Sequence, residues 1–264
     1  MNIFIRELRA NFRSLIIWGV IVILFVTIGI SKFSAYEGNP DMLAILDQMP
    51  PAMLEAFNMN AFNLTTISGF MGVMFTYFAL IASISAAMWG SDIISKEERN
   101  KTVEFSLTLP ITRSKVVTAK TFAALVNCIG LLLIIWGASL VSAAQYQPDG
   151  EFYAFLRLSM LAMFIMQLIF LAIGIFLGCA MKQYRRASSV AIALLLGTYF
   201  LSIISGLHEN LEFLKYLSPF KYFDAGMLLH ESRIDMIFIW LSAAIVLVSL
   251  VGAHLTYSKR DLYI

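Results

Sequence analysis

A chain that hydrolyses a nucleotide must wrap backbone amides around phosphate, and that wrap needs two glycines ahead of a Lys-Ser/Thr pair. The nearest approach here is Ser114 to Thr121, SKVVTAKT, which ends in Lys120-Thr121 but carries Ser114 and Ala119 at both glycine positions. That excludes a nucleotide-binding loop of this type. His208-Glu209 opens like a zinc-protease pattern, yet Glu212 stands where the second histidine belongs. His208, His230 and His254 are scattered without metal-ligand spacing, and no Ser or Cys has an evident base partner. Intramembrane proteolysis is therefore poorly supported, and no catalytic residue or metal site is expected.

The charged residues are concentrated instead in one place. Lys96 to Lys120, KEERNKTVEFSLTLPITRSKVVTAK, holds nine of the chain's 36 charged residues, with long apolar runs on either side. Ser95 and Glu98 fit a capping box that would start a helix at about Lys96. Such a helix would put Ile94, Val103 and Leu107 on one side and Glu97, Arg99, Lys101 and Glu104 nearer solvent. Pro110 should stop it, because the residue before proline avoids helical angles. Thr112 can then cap the next helix. A loop that only fixed topology would explain the lysines and arginines, but not three glutamates or an apolar face. The stretch therefore reads as a surface for docking another protein.

The elements that position this stretch are membrane spans. The chain is 59% hydrophobic and 14% charged, with a mean hydropathy of +0.79, against roughly a quarter charged residues in soluble domains. A net charge of +2 argues against nucleic acid as a partner. Six apolar runs are long enough to cross a hydrocarbon core: about 14–31, 67–89, 119–143, 154–180, 188–207 and 236–257. The reading is one all-α transmembrane domain over 1–264. The first run is long for a signal peptide and lacks a convincing cleavage site, so it reads as a retained span.

With the N-terminus inside, Lys and Arg divide 14 to 4 between inner and outer segments, which places both termini in the cytoplasm. Residues 1–13 form an amphipathic segment. Met1, Phe4, Ile5, Leu8 and Phe12 share one face, while Arg6, Arg9 and Arg13 share another, as in a helix lying on lipid headgroups. The first outer loop, about 32–66, should hold two short helices flanking Pro50-Pro51. The last, about 208–235, contains LEFLKYLSPFKYF. It is too apolar for a solvated loop and too interrupted for a span, so it is expected to dip into the bundle.

A carrier driven by an ion gradient usually keeps ionisable groups within the bilayer. With Lys120 counted to the cytoplasmic stretch, the six spans hold no Asp, Glu or Lys. Asn127 and Gln167 read as interhelical hydrogen bonders, and Gly174 with Gly178 makes a GxxxG. Energy for transport would then enter from a cytoplasmic partner.

The charged stretch resembles the first cytoplasmic loop of type-2 ABC transporter permeases, the membrane subunits of many bacterial ABC exporters. The residues that carry the resemblance are Glu98, Thr102, Glu104, Leu107, Leu109, Pro110, Arg113 and Lys120. YLSPFKYF (216–223) also looks like the family's last outer loop. The chain departs at Lys101, where the family often has Gly, and at Phe105-Ser106, where it often has a Leu pair. The resemblance spans the whole chain. It implies a multi-pass plasma-membrane permease with no ATP site of its own. Two membrane subunits, identical or paralogous, would pair with two cytoplasmic ABC ATPase subunits that bind ATP and Mg. It also implies a coupling role for Lys96, Glu97, Glu98, Arg99, Lys101, Thr102, Glu104, Leu107, Pro110 and Arg113. The charge-free spans favour an amphipathic or hydrophobic cargo such as a peptide toxin, drug or lipid. The alternative is an intramembrane enzyme, which would show paired catalytic groups, or a scaffold, which would need no ATPase.

Overall fold

The computed structural model describes residues 3–39, 48–50, 53, 54, 59, 62–99, 112–181, 183–207 and 209–259, with the side chains of 97–99, 184, 185 and 209 outside that description. Six long helices carry the fold, one for each expected span. They are α1 (Ile3–Ser31), α2 (Ile67–Arg99), α3 (Arg113–Ala143), α4 (Gly150–Ala180), α5 (Tyr184–Leu207) and, after two short helices, α8 (Met236–Lys259). Among the described residues there is no strand.

Most of these helices overrun the expected spans. α1 has 29 residues, or about 43 Å at 1.5 Å per residue, against a hydrocarbon core of about 30 Å. The amphipathic segment is not set off from the first span. It forms the opening turns of one unbroken helix. Its apolar face also divides: Phe4 and Leu8 pack on the core, whereas Ile5 and Phe12 are exposed.

α2 likewise runs without a break through Ser95 to Arg99. Ser95 is therefore a buried interior residue, not the N-cap that the S-x-x-E pattern suggested. The reason lies in packing. The stripe Ala86, Ala87, Gly90, Ser91 and Ile94 stays buried, and this contact along α2 overrides a local capping signal. Residues 100–111, where the rest of the expected helix and Pro110 fall, lie outside the described residues. The expected cap of α3 is present: Thr112 Oγ1 accepts from the Lys115 amide at 3.4 Å.

α2 and α4 form the central pair, α1 lies mainly on α3, and α5 and α8 pack on α2 and α4 respectively. The α2–α4 crossing is close because its contact residues are small. A Cβ on Gly90 would sit 2.4 Å from the Leu171 carbonyl oxygen, and one on Gly174 would sit 2.5 Å from that of Ala87. The GxxxG of Gly174 and Gly178 is thus a real helix interface. Asn127 and Gln167 do not act as the expected glue. Both are buried, yet Asn127 Nδ2 and both amide atoms of Gln167 lack hydrogen-bond partners.

The start of α1 and the end of α8 lie at one end of the bundle, the termini end. Arg113, at the start of α3, reaches the end of α8, and α1, α2 and α3 meet there through side chains described below. At the far end, Phe33 stacks edge-on against Tyr146 with centroids 4.9 Å apart. The two short helices expected beside Pro50-Pro51 fall largely outside the described residues.

The segment between α5 and α8 turns back along the bundle. It comprises a 3₁₀ helix (Glu209–Leu217), α6 (Pro219–Tyr222) and α7 (Ala225–His230). Ser218 Oγ donates to the Thr198 carbonyl at 2.7 Å, near the midpoint of α5. The Phe220 ring lies against Phe170 of α4 and Tyr199 of α5, with centroids at 5.6 and 5.3 Å. Pro219, Tyr222 and Phe223 are buried. Asp224 caps α7 by accepting from the amides of Gly226 and Met227.

Candidate functional site

Of the expected docking residues, Lys96, Glu97, Glu98, Arg99 and Arg113 are described, and they lie at the termini end. The backbones of Lys96, Glu97, Glu98 and Arg99 form the last turns of α2. Lys101, Thr102, Glu104, Leu107 and Pro110 lie outside the described residues. Arg113 opens α3 and donates from Nη1 to the carbonyls of Tyr257 and Ser258, each at 3.4 Å. A guanidinium there meets the partial negative charge at the end of α8.

Between these helix ends lies a charge cluster that the sequence reading missed. Its centre is Glu7, 1% exposed, one residue from Arg6 on α1. Lys96 of α2 forms an ion pair with Glu7 Oε2 and donates to Asn11 Oδ1 at 3.2 Å. Lys120 of α3 is fully buried. Its Nζ lies 3.6 Å from Glu7 Oε1 and donates to the Ile93 carbonyl of α2 at 2.6 Å. Arg6 joins from the edge at 3.3 Å. One turn further along α1, the Trp89 indole N–H donates to Ser14 Oγ at 2.9 Å.

Lys120 therefore corrects one earlier reading. It is not a cytoplasmic topology charge outside the spans. It lies inside the bundle on the second turn of a spanning helix. Ser114–Thr121, already excluded as a phosphate loop by its missing glycines, belongs to the opening turns of α3. Glu7 had a sequence signal. Glu7 and Asn11 extend the buried stripe Gly19, Val22, Val26 and Ile30 of α1 back along the same helix at helical spacing.

Arg9 and Arg13 are exposed, at the same end as the cluster. Ser91 and Ser188 hydrogen-bond at 2.9 Å, tying the start of α5 to α2. Ser114 and His254 do the same between α3 and α8 at 3.2 Å.

A second polar feature opens at the far end. A cavity of about 520 Å³ lies between the end of α5, the returning segment and the start of α8, and its charged lining includes Glu212, Lys215, Lys221, Asp224 and Asp235. The Lys215 ammonium, hydrogen-bonded to Glu212 at 2.5 Å, holds that exposed carboxyl below its ordinary pKa.

Neither feature includes a cysteine or a histidine among the described residues. Cys128 and Cys179 are buried, and among the described residues no group of His, Cys, Asp and Glu could hold a metal. What the termini end does offer is mechanical. Three spanning helices are cross-linked around one carboxylate, and two of them, α2 and α3, lead directly into residues 100–112.

No curated protein matches the chain. A family model described as "ABC-2 family transporter protein" matches residues 1–262. Six helices long and apolar enough to cross a membrane agree with that match over nearly the whole length, and the chain belongs to the ABC-2 transporter family.

Proposed function

We propose that this permease subunit of an ABC transporter works as an exporter, moving an amphipathic or hydrophobic cargo such as a peptide toxin, drug or lipid. A separate cytoplasmic ATPase, carrying ATP and Mg, would drive it. Two membrane subunits, identical or paralogous, would form the path with two ATPase subunits. The observation that supports this reading most is the bracketing of residues 100–112. Their two anchors, the end of α2 and the start of α3, sit side by side at the termini end, fixed to each other by Lys120 and the Ile93 carbonyl. A force applied to the segment is then delivered to two spanning helices at once.

The test is association. Breaking a hydrogen-bonded charge pair at a protein contact typically costs about 2–5 kcal/mol. Glu98→Lys and Glu104→Lys should therefore weaken co-purification with the ATPase at least tenfold, or uncouple ATP hydrolysis in reconstituted membranes. Neutral changes at Lys182 or Arg186 should do neither. Arg113→Glu is a less clean probe, because it also repels the carbonyls at the end of α8. If both glutamate reversals leave association and hydrolysis intact, the segment is only a topology signal.

The reading puts the termini end in the cytoplasm, as the Lys and Arg distribution supports. Single cysteines at Lys115 and Asn39 should then react with an impermeant thiol reagent from opposite sides of the membrane. Reaction of both from outside would overturn the orientation.

A further inference from the structure

We infer that Glu7 is a positioning residue that makes α1 follow the two helix ends bracketing residues 100–112. The inference rests on the reading that this segment meets the ATPase. A carboxylate is costly to bury and is retained only where it is paired. Apolar residues of similar volume are often as stable as a buried ion pair, so such a pair is weak evidence for stability and a better indicator of fixed registry. Nothing in the packing of α1 against its neighbours calls for a carboxylate. Phe4 and Leu8, on either side of it, pack on the core as ordinary apolar residues.

The connectivity shows what Glu7 does. Lys96 belongs to α2 and Lys120 to α3, and both meet the same carboxylate on α1. Lys120 also bonds the Ile93 carbonyl, which closes a triangle whose corners are the three helices. Two of its three sides run through Glu7. The charged segment hangs between the two lysines, one near each of its ends. A displacement of either helix end must carry Glu7 with it or pull an ion pair apart where water does not replace the lost partner. Below the cluster α1 keeps contact with α3 through one face only, with Gly19, Val22, Val26 and Ile30 buried and Ile16, Ile17, Val20 and Leu24 exposed on the other, so the charged contacts are concentrated at the end where α1 begins.

The experiment compares the parent with a Glu7→Gln, Lys120→Met double variant, both reconstituted with the ATPase in lipid nanodiscs. The double variant removes the fully buried charge of Lys120 together with the carboxylate, and leaves Lys96 at 12% exposure with its hydrogen bond to Asn11. Spin labels go on cysteines at Arg9 of α1 and Thr118 of α3, both exposed, with Cys128 and Cys179 changed to Ala. In the parent, the distance between labels should stay constant between the nucleotide-free and ATP–vanadate states. In the double variant it should change by about 2–5 Å, the scale of helix shifts and one-turn slips, while ATPase binding persists. Lys96→Gln, which cuts only the α2 side, should show a smaller change and serves if the double variant does not assemble. A parent distance that changes as much as the variant's, or a variant distance that stays constant, overturns the inference while leaving the ATPase reading standing. A parent that binds no ATPase removes that reading, and this inference with it.

Discussion

Changing Glu7 alone to Gln is expected to cost about 3–5 kcal/mol of stability, because truncating one partner of a buried pair leaves uncompensated charge. Here two ammonium groups are left, Lys120 at 0% exposure and Lys96 at 12%. The loss should appear as a large drop in melting temperature in mild detergent. Changing Lys120 to Met in the same chain should return part of it, since the fully buried charge is gone, an apolar side chain of similar length packs in the same space, and only Lys96, at 12% exposure, still lacks its carboxylate. A single change as mild as Arg9→Gln, at an exposed position of the same helix, should shift the melting point little. If Glu7→Gln melts with the parent, the carboxylate is not the centre of a buried pair. If the double variant is as unstable as the single one, the loss comes from packing and not from charge.

Gly174→Val is expected to cost about 3 kcal/mol, at the upper end of what overpacking does in a close-packed core. The cause is that the obstacle is backbone. The added Cβ would meet the Ala87 carbonyl oxygen at 2.5 Å and the Ser91 nitrogen at 3.0 Å, and a helix backbone cannot swing aside as a side chain does. α2 and α4 would have to separate along their shared length. Gly90→Val should act similarly through the Leu171 carbonyl. Gly137→Ala is the control: nothing lies within 4 Å of a Cβ there, so the change should be neutral or gain up to about 1 kcal/mol from helix propensity. Equal melting points for Gly174→Val and Gly137→Ala would contradict the close crossing.

The spans were legible because lipid forces the answer. A helix that crosses hydrocarbon must be apolar over some 20 residues, and that requirement prints itself on composition wherever the helix packs. The returning segment was legible for a related reason: LEFLKYLSPFKYF is too apolar for water and too broken for lipid. The end of α2 was not legible. Ser95 and Glu98 match a cap locally, and only the buried contact of Gly90, Ser91 and Ile94 with α4 shows that the helix continues. Glu7 and Lys120 were hidden by their residue types. A lysine near a membrane end reads as a topology charge, and a glutamate beside two arginines reads as part of a charged face. Pairing them needs the side-by-side placement of α1 and α3, which are more than eighty residues apart in the chain and related by no local pattern.

The order in which the chain matures follows from where Ser218, Phe220 and Tyr222 come to rest. Residues 209–230 lean on the midpoint of α5, on α4 and, through the Tyr222–Phe238 stack at 5.0 Å, on α8. Unsupported in hydrocarbon, the irregular backbone around Ser218 and Phe223 would leave amides and carbonyls unbonded at several kcal/mol each. Ser218 bonds its own backbone within the segment, to Lys215 and Lys221, but its hydroxyl takes its partner from a carbonyl of α5. The segment therefore cannot settle as it emerges. Its last wall is α8, which is synthesised after it. Biogenesis of this protein should thus include a late, post-insertional step in which a stretch already handed across the membrane folds back in, and a chain truncated before Met236 should leave residues 209–230 open to protease added from the far side.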